Sequence, residues 1–343
     1  MISVSSFLRA RMGKRVAAAG LAATLCLSLC LSAAPAQAAT EFKLSNQFPP
    51  NHHVSIGMRV FADKVAEYSN GDLAVKIYDS GSLYRDAEIV KAIRNGSTEV
   101  GLVPVNKWSG MIPAVDIFDL PFAFPKLSYL KNFLDESAPL FDESFSQYGT
   151  KVLFWVDYGY VQFFNSKHPL KTPEDFKGLT IRAYSAGDAE ILKVLGAAPT
   201  IISSSEMYMA LQRGTIDGTD TGMPAAISRK VIEVQKFMTR ANYAVAEFLV
   251  QANLKWWNGL TADQQNAIMK AAADAEAYIR EKVAAAESEA EESIAKAGLE
   301  IHIPSDEELE AFIQATAPVR ETYLKNSGEL GAKLLPLLDS ARR

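Results

Sequence analysis

The histidines and acidic residues are the side chains best able to carry acid–base or metal chemistry, but their spacing supports neither. The 343-residue chain holds only four histidines. His52 and His53 are adjacent, so in an extended chain their rings point to opposite sides and cannot chelate one metal ion together. Asp217 and Asp220 could form a carboxylate pair, but the Asp217-Gly218 step is typical of a turn. These residues therefore predict no metal site and no catalytic pair.

Motifs of the common enzyme classes are also missing from the sequence. The chain has no GxSxG elbow, no HExxH, no GxxxxGK[ST] loop and no GxGxxG after a predicted strand. Both cysteines, Cys26 and Cys30, lie in an N-terminal segment that we expect to be removed. A disulfide, a thiol nucleophile and a cysteine metal site are therefore not expected in the mature chain. The sequence predicts a protein that is not an enzyme and that needs no cofactor or metal.

The first 38 residues have the pattern of an export signal. A basic region is followed by an apolar run over 16–31 and by Ala36-Gln37-Ala38, a small-x-small cleavage pattern. The apolar run is too short for a membrane span, so a retained anchor is the less favoured interpretation. We predict a signal peptide over 1–38, cleaved near Ala38, and a periplasmic protein that does not itself span the membrane.

Charge and length limit what the mature chain can do. The chain has 35 basic and 40 acidic residues, and the predicted signal peptide contains four of the basic ones, so 31 basic and 40 acidic residues remain, a net charge of −9. A nucleic-acid-binding protein needs the opposite sign, so nucleic acid is not an expected partner. About 305 residues can build a core without disulfides, and they suggest two lobes rather than one.

The mature sequence alternates short strand patterns with helix patterns, which predicts a parallel sheet with helices on its faces. Strand patterns lie at 42–44, 73–77, 100–105, 152–156, 163–164 and 179–182. Helix patterns lie at 54–68, 86–94, 188–195, 206–213, 261–297 and 305–326. Ser203 and Glu206 have the spacing of a capping box. Segments 88–99 and 206–217 align without gaps, which either chance or a duplicated lobe explains. A coiled-coil dimer is an alternative use of the long helix at 261–297, although its apolar spacing drifts from a strict heptad.

Seven short motifs occur in an order that points to one family. They are Phe61–Val65 (FADKV), Ser80–Leu83 (SGSL), Asp119–Phe122 (DLPF), Asp175–Arg182 (DFKGLTIR), Leu195–Pro199 (LGAAP), Glu206–Leu211 (EMYMAL) and Ile216–Gly218 (IDG). With these motifs the chain resembles the solute-binding subunits of TRAP transporters, the DctP-like group, from about Glu41 to Asn326. Each motif alone is weak, but seven in the correct order are specific.

The resemblance implies a fold and a role. The implied fold class is α/β, a two-lobed periplasmic-binding-protein-like clamp with mainly parallel sheets, hinge strands and long spanning C-terminal helices. Lobe I would comprise 39–157 plus about 245–285, and lobe II would comprise 158–244. Helices over about 261–340 would pack on both lobes. The protein would deliver a small organic acid to the membrane permease subunits of a TRAP transporter.

Within this family pattern, Arg182 is the predicted ligand anchor. It matches the signature arginine of the family and stands at the end of a predicted strand, where open α/β sheets bind ligands. A guanidinium can hold a carboxylate through two parallel hydrogen bonds. The other predicted lining residues are Gln47, His53, Asn106, Trp108, Tyr158, Tyr160, Val161, Ser204, Asp220, Thr221 and Phe248.

Several positions depart from the family pattern. Many members carry a second arginine where this chain has Val161, and polar residues near Pro104 and Phe248. Asp220-Thr221-Gly222 stands where Glu-Asn-Pro is common. Because a buried charge without a partner costs several kcal/mol, we predict a monocarboxylate with a less polar body. The alternatives are a C4-dicarboxylate binder, a sensory binding protein that presents its ligand to a receptor, and a periplasmic hydrolase or lyase.

Overall fold

The computed structural model describes residues 39–342, and the predicted signal peptide lies outside them. The strands in this part of the chain are β1 (Thr40–Ser45), β2 (Leu73–Tyr78), β3 (Val100–Pro104), β4 (Thr150–Asn165), β5 (Thr180–Ala183), β6 (Ala198–Ile201), β7 (Gly218–Gly222), β8 (Phe237–Asn253) and β9 (Glu300–His302). The helices are α1 (His53–Tyr68), α2 (Ile89–Arg94), α3 (Leu127–Gln147), α4 (Ala186–Val194), α5 (Met207–Gln212), α6 (Met223–Ser228), α7 (Leu254–Asn258), α8 (Ala262–Lys296), α9 (Asp306–Asn326) and α10 (Gly328–Ala341). Short 3₁₀ helices cover Val105–Trp108, Pro113–Asp119, Pro173–Phe176 and Val231–Glu233.

The strands form a single mixed sheet in the order β2-β1-β3-β8-β4-β7-β5-β6, and β9 pairs with β8. We call β2, β1 and β3 the first half of the sheet, and β7, β5 and β6 the second half. Neighbours within each half are parallel. The 16-residue β4 and the 17-residue β8 are antiparallel to each other and join the halves. The predicted α/β class with mainly parallel pairing is confirmed.

The two long connecting strands are the main departure from the sequence prediction. The strands predicted at 152–156 and 163–164 are one strand, β4, whose register with β8 shifts three times, including between Asp157 and Gly159. Gly159 has a φ of 108°, a left-handed value that favours glycine. This bulge interrupts the apolar alternation in the sequence, which is why β4 was predicted as two pieces. The Asp217-Gly218 turn prediction is also wrong, because Gly218 begins β7.

The two long C-terminal helices begin where the sequence predicts. Thr261 and Ser305, the first residues of the predicted helix patterns, form capping boxes with Gln264 and Glu308 and begin α8 and α9. The capping box predicted for Ser203 is wrong. Helix α5 begins only at Met207 and has no side-chain cap. The Ser203 hydroxyl donates instead to Asp86, which is distant in sequence.

The long helix α8 packs against two of the three hydrophobic clusters. Its 35 residues span about 52 Å at the rise of an α-helix. Ile268 and Ile279 join the cluster beneath α1, and Ile294 joins a separate cluster with Met207 and Leu211 of α5. Because this apolar stripe is buried within the chain, it is not free to form the coiled coil considered above. A third, aromatic-rich cluster surrounds Phe118, Phe133, Phe141, Phe145 and Trp155.

The first residue of β7 gives a test of the strand pairing. A Cβ atom on Gly218 would overlap the backbone oxygen of Phe164 in the neighbouring β4 and lie 2.9 Å from the Cβ of Asn165. We expect Gly218→Ala to lower the free energy of unfolding by about 1–3 kcal/mol, measured by urea denaturation. Gly110 has open space around its Cβ position. Gly110→Ala is therefore the matched control, with a change within about 0.5 kcal/mol. Equal effects would contradict the close approach of β4 and β7.

Candidate functional site

A narrow cavity of about 40 Å³ lies where loops of the two sheet halves meet the connecting strands. Eight of the twelve residues predicted from the sequence line it. They are Asn106, Tyr158, Val161, Arg182, Ser204, Asp220, Thr221 and Phe248. The predicted strand end at 182 holds to within one residue, since β5 ends at Ala183.

Arg182 is the centre of the polar wall. Its side chain is buried, with 2% of its surface exposed. Its Nε donates to the backbone oxygen of Ile202 at 3.0 Å, and Nη1 donates to the backbone oxygen of Asp220 at 3.3 Å. Nη2 donates to the Ser204 hydroxyl at 3.0 Å. A guanidinium has five N–H groups. Among the described residues, one N–H therefore remains without a partner on each terminal nitrogen. Two such donors match the two oxygens of a carboxylate.

Two further cations, not predicted from the sequence, line the same cavity. Lys107 Nζ donates to the backbone oxygen of Tyr184 at 2.7 Å, and burial lowers the pKa of Lys107. Arg229 donates to the backbone oxygens of Ser204 and Gln47, at 3.0 and 2.7 Å. Burial lowers the pKa of Arg229 to about 10, so it stays charged at neutral pH. No carboxylate of the described residues forms an ion pair with either cation.

Acidic residues partly balance these cations. Burial alone would raise the pKa of Asp86, but the Lys107 ammonium and hydrogen bonds from Ser203 and Ser204 outweigh it and keep the pKa below its ordinary value. Asp86 is therefore ionised at neutral pH. Glu247 also borders the cavity, but burial raises its pKa well above the ordinary value, which favours its neutral form.

Asp188 and Asp220 share one tyrosine partner. The Tyr243 hydroxyl lies 3.0 Å from Asp188 Oδ1 and also contacts Asp220 Oδ2. A hydroxyl has one proton, so it donates to only one of the two carboxyl groups. Burial and the proximity of the two groups raise the pKa of Asp188 well above its ordinary value. The higher pKa of Asp188 favours one proton on this pair, and with one proton the pair carries about one negative charge. Burial likewise raises the pKa of nearby Asp119 to about 7.

Three aromatic side chains line the cavity beside these cations, and the Arg229 guanidinium lies over the Phe48 ring, 5.4 Å from its centroid. Phe48, Tyr158 and Phe248 form a triad with ring centroids 5.1–5.5 Å apart. The Tyr158 hydroxyl lies 2.9 Å from Thr221 Oγ1 and accepts from Gly222 N at 2.8 Å, so its polar end is tied to β7. The cavity thus offers both cations for an acid and aromatic rings for an apolar body.

Four predicted lining residues lie elsewhere. Trp108 is in the core, where its Nε1 donates to Gln251. His53 Nε2 faces the Asp157 oxygen at 3.4 Å, and burial lowers the pKa of His53 to about 4. The Gln47 side chain donates to Tyr84, although its backbone oxygen holds Arg229. Tyr160 packs against the aromatic-rich core cluster.

The predicted lining residues missed Lys107, Arg229, Phe48 and Tyr184, whereas Asp86, which also lines the cavity, was considered from the sequence as a loop residue near the cleft. Asp86 had a sequence signal, since it follows the SGSL motif in the loop after β2. Lys107 and Arg229 each follow an apolar strand or helix as an ordinary polar residue, and no local pattern marks either as buried. Within residues 39–342, no group of three or more metal-binding side chains is placed to hold an ion. None of the helices over the same residues is long and apolar enough for a membrane crossing.

Comparison with known proteins assigns the family. The model for bacterial extracellular solute-binding proteins, family 7 (DctP), matches residues 44–326. The chain belongs to this family. The resemblance to TRAP solute-binding subunits drawn from the sequence motifs is thereby confirmed. The match covers both sheet halves, the cavity and the helices α8 and α9.

Individual DctP-family relatives agree over most of the chain. The 2,3-diketo-L-gulonate-binding periplasmic protein YiaO of Escherichia coli is 29% identical over 290 residues, which cover 84% of this chain and 88% of YiaO. The sugar acid binding protein DctPAm of Advenella mimigardefordensis, solved with galactonate, has a TM-score of 0.85 at 24% identity and covers 88% of this chain and 99% of its own. A TRAP periplasmic solute binding protein of Sulfurospirillum deleyianum, solved with succinate, has a TM-score of 0.82 at 27% identity, with 88% and 98% coverage. The two-lobed fold class is confirmed by these structures.

Proposed function

We propose that the protein is the periplasmic solute-binding component of a TRAP transporter and that it captures a small organic monocarboxylate between its lobes. The ligand carboxylate is held by Arg182, and the less polar body of the ligand lies against Phe48, Tyr158 and Phe248. The loaded protein then delivers the ligand to the membrane permease subunits. The lobe boundaries and the signal peptide predicted above belong to this proposal.

The observation that carries the proposal is that the buried Arg182 guanidinium is fixed in place and still has N–H groups to donate to a ligand. It is buried on the cavity wall, fixed by three hydrogen bonds, and retains one N–H on each terminal nitrogen. A fixed donor pair of this kind binds a planar anion without having to be ordered first. It binds the anion without changing it chemically, which suits a carrier.

The charge balance around the cavity favours one carboxylate. Arg182, Lys107 and Arg229 contribute three positive charges. Asp86 contributes one negative charge, and the pair of Asp188 and Asp220 contributes about one more. Asp119, with a pKa of about 7, is about half ionised at neutral pH, so the remaining charge lies between 0 and +1 and at most one carboxylate is matched. A second ligand carboxylate would be left without a matching cation, and a buried unmatched charge is costly.

A dicarboxylate is the second candidate, and two observations favour it. Lys107 and Arg229 are cations that the sequence prediction of a monocarboxylate did not take into account. The Sulfurospirillum relative was solved with succinate, which has two carboxylates, whereas the 2,3-diketo-L-gulonate in the name of YiaO has one.

Matched ligands distinguish the two candidates. The melting temperature of the purified protein is measured with lactate, pyroglutamate, succinate and succinamate, because a ligand stabilises the folded state by mass action. Succinate and succinamate have nearly the same shape but differ by one charge. The proposal expects succinamate to bind at least about tenfold more tightly in calorimetry, a difference of about 1.4 kcal/mol. Tighter binding of succinate would favour the dicarboxylate reading.

Replacing Lys107 tests the charge balance from the protein side. Lys107→Met removes one positive charge from the cavity, so we expect the affinity for a monocarboxylate to fall about tenfold, measured by calorimetry. Lys230, whose side chain is 68% exposed, provides the control variant Lys230→Met, which should bind as the wild type does. Unchanged affinity in Lys107→Met would contradict the charge count, provided that the variant keeps the wild-type melting temperature.

A further inference from the structure

Loops from opposite edges of the sheet meet over the cavity. Strands β2 and β6 stand at the two ends of the strand order. Asp86, in the loop after β2, nevertheless contacts Ser203 and Ser204, in the loop after β6. Asp86 Oδ1 accepts from Ser203 Oγ at 2.5 Å, and Asp86 Oδ2 accepts from Ser204 N at 3.2 Å and from Ser204 Oγ at 3.0 Å. These contacts require the two halves of the sheet to be closed upon each other.

The same serine connects this contact to the ligand anchor. Ser204 Oγ accepts from Arg182 Nη2 at 3.0 Å and donates to Asp86 Oδ2. Arg182, Ser204 and Asp86 thus form a continuous hydrogen-bonded chain from the cavity wall to the opposite half. Each member has a fixed donor or acceptor role, because a guanidinium only donates and a carboxylate only accepts.

The environment of Asp86 makes this contact strong. The residue is only 4% exposed, and it accepts three hydrogen bonds as an ionised carboxylate near the Lys107 ammonium. Charge-assisted hydrogen bonds are stronger than neutral ones. The adjacent Arg85 also reaches across the cleft, to Glu206 at 2.6 Å, but the two side chains are 50% and 55% exposed. Exposed ion pairs contribute little, so Arg85 serves as a natural comparison.

We propose that Asp86 is a latch that holds the closed form by binding Ser203 and Ser204, and that Ser204 couples this latch to the ligand on Arg182. The latch rests on the proposed function of the cavity. Asp86 acts as a positioning residue and does not itself bind the ligand. Ligand release therefore requires the Asp86–Ser204 contact to break.

The latch has a defined thermodynamic effect. When only the closed form binds tightly, the apparent dissociation constant equals the intrinsic one divided by the closed fraction. Weakening the latch lowers the closed fraction by the same factor for every ligand. It also speeds opening, so the effect falls on the dissociation rate rather than on the association rate.

The test compares Asp86→Asn with Arg85→Gln, using as probe whichever of lactate, pyroglutamate, succinamate and succinate binds the wild type most tightly. Asp86→Asn should raise the dissociation constant about tenfold, with most of the change in the dissociation rate measured by stopped flow. The ratio should be the same for two probes of equal charge, such as lactate and pyroglutamate, because Asp86→Asn also removes one negative charge from the cavity. Arg85→Gln should change the dissociation constant less than twofold.

Several results would overturn the latch. An affinity within twofold of wild type would do so, and so would a loss that differs strongly between probes of equal charge, since that would place Asp86 on the ligand itself. Should Asp86→Asn fold poorly, Ser203→Ala removes one latch bond outside the Arg182 chain and should give a smaller loss of the same kind. If the tight ligand is not a carboxylate, the proposed function fails, while the Asp86→Asn test can still be run with that ligand. If the wild type binds no solute at all, both proposals fail.

Discussion

Arg182→Lys is expected to weaken carboxylate binding by at least about a hundredfold, and Arg182→Ala by more. Lysine keeps the positive charge but lacks the planar fork that leaves one N–H on each terminal nitrogen. Charge-assisted hydrogen bonds contribute about 1.5–3 kcal/mol each, so losing two corresponds to a factor of about 10²–10⁴. Calorimetry with the best ligand of the melting-temperature screen measures the change.

The lysine variant makes this test specific for geometry. If charge alone held the ligand, Arg182→Lys would bind nearly as well as the wild type, and the role of the fork would be refuted. Arg213 is an exposed arginine after α5. Arg213→Lys therefore controls for the substitution type and should leave affinity unchanged. Arg182 also donates to the backbone oxygens of Ile202 and Asp220, so its replacement could weaken the fold as well as ligand binding. Circular dichroism and urea denaturation of the variants distinguish these two effects.

Glu287→Gln is expected to stabilise the protein at pH 8 by up to about 3 kcal/mol and to have little effect near pH 4.5. Glu287 lies on α8 and accepts a 2.6 Å hydrogen bond from Tyr160 N, next to the Gly159 bulge of β4. Burial, reinforced by Glu291, raises its pKa from 4.5 to about 7. Glutamine retains an oxygen for Tyr160 N and removes the charge.

The pH window follows from the two pKa values of Glu287. Below pH 4.5 the group is protonated in both the folded and the unfolded chain, so it has no effect on stability. Between pH 4.5 and about 7 the unfolded chain ionises first, so wild-type stability falls as pH rises. Above pH 7 the loss is constant, at about 1.4 kcal/mol for each pKa unit. Urea denaturation of both proteins from pH 4.5 to 8 measures the widening difference.

Glu289 provides the control for this pH dependence. It is exposed on the same helix. Glu289→Gln should therefore follow the wild type within about 0.5 kcal/mol at every pH. A parallel pH profile for Glu287→Gln and wild type would show that Glu287 is not desolvated against β4.

The sequence predicted those elements whose determinants are local. Helices α8 and α9 begin where the sequence patterns predict, because Thr261 and Ser305 bond to backbone within the same turn. Segments 88–99 and 206–217 both form a short helix that stops at a left-handed glycine, Gly96 or Gly214, before a strand. The strand β8 was not predicted, because its length reflects pairing with β3, β4 and β9 rather than its own pattern.

The candidate site was predictable to the extent that motifs mark it. Arg182 lies in a family motif, and the structure puts it on the cavity wall. Lys107 and Arg229 are positioned by carbonyl oxygens remote in sequence, those of Tyr184, Ser204 and Gln47. Trp108 was expected at the cavity because aromatic residues often line clefts, but its indole is turned into the core. Such placements depend on tertiary packing that one sequence does not encode locally.

The connecting strands β4 and β8 are hydrogen-bonded to each other from Thr150–Asn253 to Asn165–Phe237. A continuous two-stranded ladder resists shearing and twisting, but it can bend at register shifts such as the one between Asp157 and Gly159. We therefore expect the two halves of the sheet to open by little more than one bending motion about these strands. Each solute capture then returns the two walls to the same alignment, and little orientational entropy is lost when the cleft shuts.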